Sequence, residues 1–563
     1  MSPAGNQRIE SSVRAPVVDA VTLTVIEKGL QQVCSEMDLV HEKTSFSPVI
    51  SEAFDRSNGI YHVVDGRMIA QGALGLPIFL GQMAVTTNSV INMRSDMEDG
   101  DVILVNDPYL GGSHLMDVKM VRPFFYRGKL WCYLSNVGHW PDTGGMVPGG
   151  FNSTATEIHQ EGLRIPPVKL IRRGKMDSDL LDIVLANVRV ANERIGDIKA
   201  QVAALAAGAK RLTALIDRYG QDVVDAAVTE LEVRSERMMR AHISTIPDGV
   251  YKAVAYMDSD GVVNEPLDVC VKITVSGSDM TVDFDGSSPP CAGPINTVWA
   301  TTLSAVYVGM KHIFPDVAMS SGCFKPIHVV KPHGTFLYAE YPKPVAGCGA
   351  EVSQRIVEAM FMALSQAIPD RVFGPPAGTS GNLSLGGFDP ASNENYIMYN
   401  FSGGGYGGWW AGDGLSNGCS TIGISKNQPV EILEQRYPLL FEHYSLHEAS
   451  AGPGKFRGGF GVSYKLRLLR GTGKVSFMME HGRSGPPGIL GGEPGAPNKI
   501  QIGRGGRTIV PEHLSKGEGY VLAPGDWIEV RTPGGGGYRP AAERDPTLSE
   551  RDIRRGYFPA GQN

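Results

Sequence analysis

The chain has 563 residues, 42% hydrophobic and 20% charged, with a formal charge of −7 and a pI near 6.0. It is long enough for more than one core, since single cores stop growing at roughly 250–300 residues. It carries no basic excess of the kind that binds nucleic acid. No apolar run approaches the ~18 residues of a spanning helix, and the polar start "MSPAGNQRIESSVRAP" is not a signal peptide. Residues 1–16 read as a loose arm. The spacing over 18–38 predicts a helix with Val21, Val25, Leu30 and Val33 on one face. Strands follow from about 60 to 140, with Asp65-Gly66 as a hairpin turn and "GDVILVNDP" as a short buried strand. In 177–244, Ile195, Ile198, Val202, Leu205, Ala209, Leu212 and Ile216 keep a 3,4,3,4 spacing. Val224, Val228, Leu231 and Met238 resume it past Gly220. That pattern predicts a long helical hairpin whose apolar seam packs on the chain's own sheet or on a second copy. Strands return after Pro247-Asp248-Gly249, a helix is expected at 351–367, and glycine-rich β structure runs to the end.

The fold class expected is α+β, with glycine-rich mixed sheets and a long helical insertion. Its regions are an arm (1–16), a first α+β region (17–176), the hairpin (177–245) and a glycine-rich α+β region (246–563). Glycine, at 70 residues, exceeds the roughly 7% usual in globular chains and has no period. "FSGGGYGGWWAGDG" (401–414) and "TPGGGGYRP" (532–540) match no nucleotide loop and read as turns or close packing. Seven scattered cysteines, odd in number and without a CxxC pair, argue against a disulfide framework or a cysteine zinc site and fit a reducing cytoplasm.

The chemistry concentrates in 106–145. His114 and Asp117 stand three apart just after Gly111-Gly112, and His139 follows after a strand out and back. On a regular strand His114 and Asp117 would face opposite sides, so bringing them together needs a loop or a single turn. Two imidazoles and a carboxylate suit zinc, manganese or iron(II) and leave positions open. The same residues serve equally as the polar ends of loops. No HExxH is present, and His443 and His447, four apart, lie between a proline and a Gly-Pro-Gly.

"GDVILVNDPYLGGSHLMDV", "GHWPDTGG", "EIHQEGLRIPPVKL", "TVDFDGSSPPCAGPIN", "SAGPGKFRGGFGV", "GPPGILGGEPGAP" and "TPGGGGYRP" occur in that order. Together they closely resemble the B subunits of the hydantoinase B/oxoprolinase family. That family takes in hydantoinases, 5-oxoprolinases, caprolactamases and the metal-binding subunits of acetone and acetophenone carboxylases. The resemblance implies a division of labour. A separate A subunit of actin-like ATPase type, expected in an A2B2 assembly, phosphorylates the substrate oxygen with ATP. The B subunit then takes the activated species at a divalent metal centre held by His114, Asp117 and His139, with Asp55 of "SEAFDRS" as a fourth ligand. His481, Glu161 and Asp142 are the candidates for moving protons, and Asp142 could instead orient a ligand imidazole. Two departures stand out: Asp55-Arg56-Ser57 replaces the usual Asp-Phe-Ser, and His139-Trp140 replaces a histidine pair. The resemblance implies hydrolysis of a cyclic amide, with ketone carboxylation and a purely structural metal as the alternatives.

Overall fold

The computed structural model describes residues 18–558, so the arm at 1–16 lies outside the described residues. The fold is α+β. A seven-stranded antiparallel sheet runs in the order Met68–Gln71, Arg56–His62, Lys129–His139, Asp117–Tyr126, Val102–Val105, Val168–Arg172, Lys175–Met176. Alternation along its strands divides the side chains between two faces. Val118, Met120 and Leu134 point to one core, shared with the helices Ala20–Thr44 and Ala191–Tyr219. Val121 and Val137 point to the other, where they meet the helices Phe79–Met93, Trp299–Ile313 and Ser353–Leu364. Asp117, two residues before Lys119, and His139, two after Val137, share this second face.

A second sheet, Gly249–Met257, Leu267–Ser276, Asp279–Asp283 and Ile327–Val329, backs the helix Ser353–Leu364 and completes the second core. Two further sheets form a sandwich. Asn382–Asp389, Glu394–Asn400, Gly473–Met478 and Lys516–Leu522 face Leu439–Leu446, Val462–Leu468, Trp527–Arg531, Lys499–Arg504 and Arg507–Ile509. Among the described residues no helix is long and apolar enough to cross a membrane.

Three expectations need correction. The first helix buries Leu23, Ile26, Leu30, Val33 and Met37, whereas Val21 and Val25 face outward. The long helix Ala191–Tyr219 lays its seam along that first helix as well as on the sheet. Gly208 abuts Met37 and Gly29 abuts Leu215, so small residues set the close approach. Phe79–Met93, placed among strands by its pattern, is a helix. Its "AVTTNSV" run has weak helix propensity, but the segment is fixed by burial against Trp299–Ile313. There the Gly81 N–H donates to Ser304 Oγ at 2.9 Å and Gln82 Nε2 to Thr301 Oγ1 at 3.1 Å. The glycine-rich segments are close packing. A Cβ on Gly405 would lie 1.9 Å from the Gly459 carbonyl oxygen and 2.2 Å from Gly535 N, so three glycine runs interlock backbone to backbone.

Candidate metal centre

Local chain geometry builds the cluster. Gly111 has φ 103° and sits against the backbone of Thr86, where a Cβ would approach Thr86 N to 2.4 Å. The chain then folds into one turn, closed by the Asp117 N–H donating to the His114 carbonyl at 3.2 Å, before the strand begins. This turn, and not the strand, lets residues three apart converge. Across the ladder Asp117 pairs in register with His139, the last residue of its neighbour. Asp55 arrives from a third element. Phe54 is held at φ 65° between the Arg56 guanidinium and the Lys426 ammonium, each 4.5 Å from its ring. The Asp55 carbonyl then accepts from the His139 N–H at 3.1 Å.

The donor atoms face one another. His114 Nε2 lies 3.3 Å from Asp117 Oδ2, and His139 Nδ1 lies 3.4 Å from Asp117 Oδ1 and 3.6 Å from Asp55 Oδ2. Two ligands on a tetrahedral ion at roughly 2.0–2.1 Å would be about 3.3 Å apart, so the residues present fit a divalent cation. All four are buried, and among the described residues His114, Asp117 and His139 form the only such cluster of three or more. Electrostatics agree. Burial pushes Asp55 up to about 7, with the Asp117 charge adding to the rise and His139 opposing it. Burial also pushes His114 down to about 4. At Asp117 burial is outweighed by His114, His139 and Lys119, which hold the carboxyl below the usual range. Two buried carboxyls and a neutral imidazole are a donor set short of a positive charge.

A cavity of about 20 Å³ adjoins the cluster, walled by Leu76, Ile78, Phe79, Ile422, Ser380, Asn382 and Tyr399. Tyr399 stacks on the His139 ring at 4.8 Å, and its hydroxyl donates to Asn382 Oδ1 at 2.6 Å. Asn382 in turn donates to Glu351 at 2.7 Å. Gly349, in a π-helical turn over Cys348–Val352, packs against His114. None of these residues carried a signal in the sequence.

The three proton-transfer candidates lie off this cavity. Asp142 is taken by Arg189, accepting from its N–H at 2.8 Å and its guanidinium at 2.7 Å. It therefore does not orient His139, whose Nε2 has no partner. Glu161 Oε1 accepts from the N–H groups of Val345 and Ala346, each at 2.8 Å. His481 is bound to Arg355 and lies 3.2 Å from Glu358. His443 lies on the strand Leu439–Leu446 and His447 just past its end, and their rings reach Ser463 and the Thr532 carbonyl.

The family model for hydantoinase B/oxoprolinase matches residues 19–540. The chain belongs to the hydantoinase B/oxoprolinase family. It is 34% identical to the beta subunit of the Pseudomonas jessenii caprolactamase, over 96% of this chain and 94% of that one. It is 31% identical to a putative D-/L-hydantoinase B subunit of a Pseudomonas species, over 96% and 93%. The crystal structure of the Pseudomonas jessenii ATP-dependent caprolactamase superimposes with a TM-score of 0.87 at 32% identity, covering 96% and 95% of the two chains. A nucleotide-free acetone carboxylase chain shares the fold, with a TM-score of 0.88 at 19% identity over 96% of this chain and 78% of its own.

Neither Arg56 nor Trp140 lines the cavity. Arg56 points away from it, donating to the Ile50 carbonyl and to Glu42, each at 2.8 Å. Trp140 is buried on the helical side, where its Nε1–H donates to Gln201 at 3.0 Å.

Proposed function

We propose that this chain is the metal-dependent subunit of an ATP-dependent cyclic amide hydrolase. In this role a partner A subunit phosphorylates the substrate's carbonyl oxygen. The observation that carries it is the buried convergence of Asp55, His114, Asp117 and His139 on one small cavity. Near-complete coverage of a caprolactamase beta subunit and a hydantoinase B subunit supports it, and those names supply the partner. Asp55, His114, Asp117 and His139 would hold one divalent ion, zinc, manganese or iron. Such an ion supplies Lewis acidity that brings the pKa of the attacking water toward neutrality.

An unactivated amide resists water, and phosphorylation of its oxygen removes that resistance. Water adds to the carbon, and the ring C–N bond breaks as the nitrogen takes a proton. A second water then releases phosphate from the acyl phosphate. Leu76, Ile78, Phe79 and Ile422 give the reacting centre an apolar wall. Burial holds the Tyr399 hydroxyl protonated, well above its ordinary pKa, and its proton goes to Asn382 Oδ1, which fixes the ring stacked on His139. The test is ring opening by the complex of this chain with its A subunit, scored against hydantoin, 5-oxoproline and caprolactam. ATP-dependent release of the open amino acid, independent of bicarbonate, is expected. Turnover that requires bicarbonate and a ketone would assign carboxylation instead.

A further inference from the structure

The cavity beside the cluster, at about 20 Å³, holds about one water. A cyclic amide is larger than this, so the space must widen to admit one. On the far side of one wall lies a cleft of about 750 Å³, within the roughly 300–1,000 Å³ of small-molecule sites. The two voids share that wall residue by residue. Leu76, Ile78, Phe79 and Ile422 face the cluster, while Gly75, Pro77, Leu80 and Ile424 face the cleft. The wall has two segments, 72–80 and 421–424. Among the described residues one backbone hydrogen bond joins them, from the Ile78 N–H to the Thr421 carbonyl at 2.9 Å.

We propose that this cleft is the site where the cyclic amide ring waits before it passes the 72–80 segment to reach the cluster. The proposal rests on the hydrolase reading above. The lining matches that class of ligand. Ser35 and Gln71 give one end a hydroxyl and an amide for a ring carbonyl and N–H, with Gln31 spent on Lys28 and Glu27, while Val308, Met319, Phe373 and Ile424 give the other an apolar wall for ring methylenes. No carboxylate lines the cleft. Of its two lysines, Lys311 spends its ammonium on the carbonyls of Phe314, Pro315 and Val317. Ala73 and Leu74 stand exposed between Gly72 and Gly75.

The test blocks the cleft after folding. Ala73 lines it and is exposed, and of the seven native cysteines only Cys270 is not buried. Ala73→Cys is prepared in complex with the A subunit and reacted with a bulky maleimide. Ring opening, ATP consumption and metal content are compared with the unreacted variant and with maleimide-treated wild type. The expected result is a loss of at least ten-fold in kcat/KM for the labelled variant alone, with metal content unchanged. Filling the cleft genetically, by Val308→Trp or Ile424→Trp, is expected to raise KM at least ten-fold with metal retained. Labelled protein that keeps kcat/KM within two-fold would overturn the proposal and leave the hydrolase standing. A wild-type complex that opens no cyclic amide would overturn both.

Discussion

Replacing Glu161 by glutamine separates a structural carboxyl from a catalytic one. The side chain is 1% exposed; Oε1 accepts two backbone N–H groups of the loop that leads into the π-helical turn, and Oε2 has no partner. Burial pushes its pKa from an ordinary 4.5 up to about 8, against the two amides that pull it down. Below pH 4.5 the carboxyl is protonated whether the chain is folded or not, and its contribution is fully present. As pH rises towards 8 the unfolded chain gives up the proton while the folded chain keeps it. Stability therefore falls by about 1.4 kcal/mol per pH unit, to a ceiling of about 5 kcal/mol. Glutamine keeps the acceptor oxygen and does not titrate. Urea unfolding of wild type and Glu161→Gln at pH 5 and pH 8 is expected to show near-equal midpoints at pH 5 and the variant more stable at pH 8. A gap that does not change with pH would refute the reasoning. Because Glu161 lies off the cavity, kcat is expected to stay within a few-fold, and a hundred-fold loss would return this residue to the chemistry.

Tyr399→Phe removes the hydrogen bond to Asn382 but keeps the stack on His139, so it is expected to cost about 1 kcal/mol and retain metal. Tyr399→Ala frees the His139 ring and is expected to weaken metal affinity at least ten-fold, and metal titration distinguishes the two. Arg56→Ala removes the buried partner of Glu42 on the first helix and leaves it only the exposed Lys43 at 2.7 Å, and is expected to destabilise by about 1.5–3 kcal/mol in thermal unfolding. It should still bind metal at saturation; loss of the metal would mean that Arg56 shapes the cluster directly. Asp552→Ala strips the buried Arg457 of its partner at 2.7 Å and should cost a similar amount. A loss below about 1 kcal/mol there would show that Asp413, 3.9 Å from Arg457, suffices as its partner.

Part of the site was legible in the chain. Gly111-Gly112 before His114, and a strand out and back to His139, are local features, and local features survive in sequence. Asp55 came only from the family resemblance, because its approach depends on a positive φ at Phe54 and on a lysine more than 370 residues further on. Tyr399, Asn382 and Gly349 line the cavity through packing of distant elements, which no spacing encodes. His481, Glu161 and Asp142 looked like free chemistry, yet the fold spends them on Arg355, two backbone amides and Arg189. The helices Phe79–Met93 and Trp299–Ile313 were hidden because threonine- and valine-rich runs read as strand until burial decides between the two.

Metal analysis of the purified chain beside His114→Ala and Asp117→Ala tests the central claim most directly. One divalent ion per wild-type chain, absent from both variants, with ATP-dependent ring opening lost in step, is the expected result. A metal-free wild type that still opens the ring with its partner, or a metal content unmoved by either substitution, would contradict it.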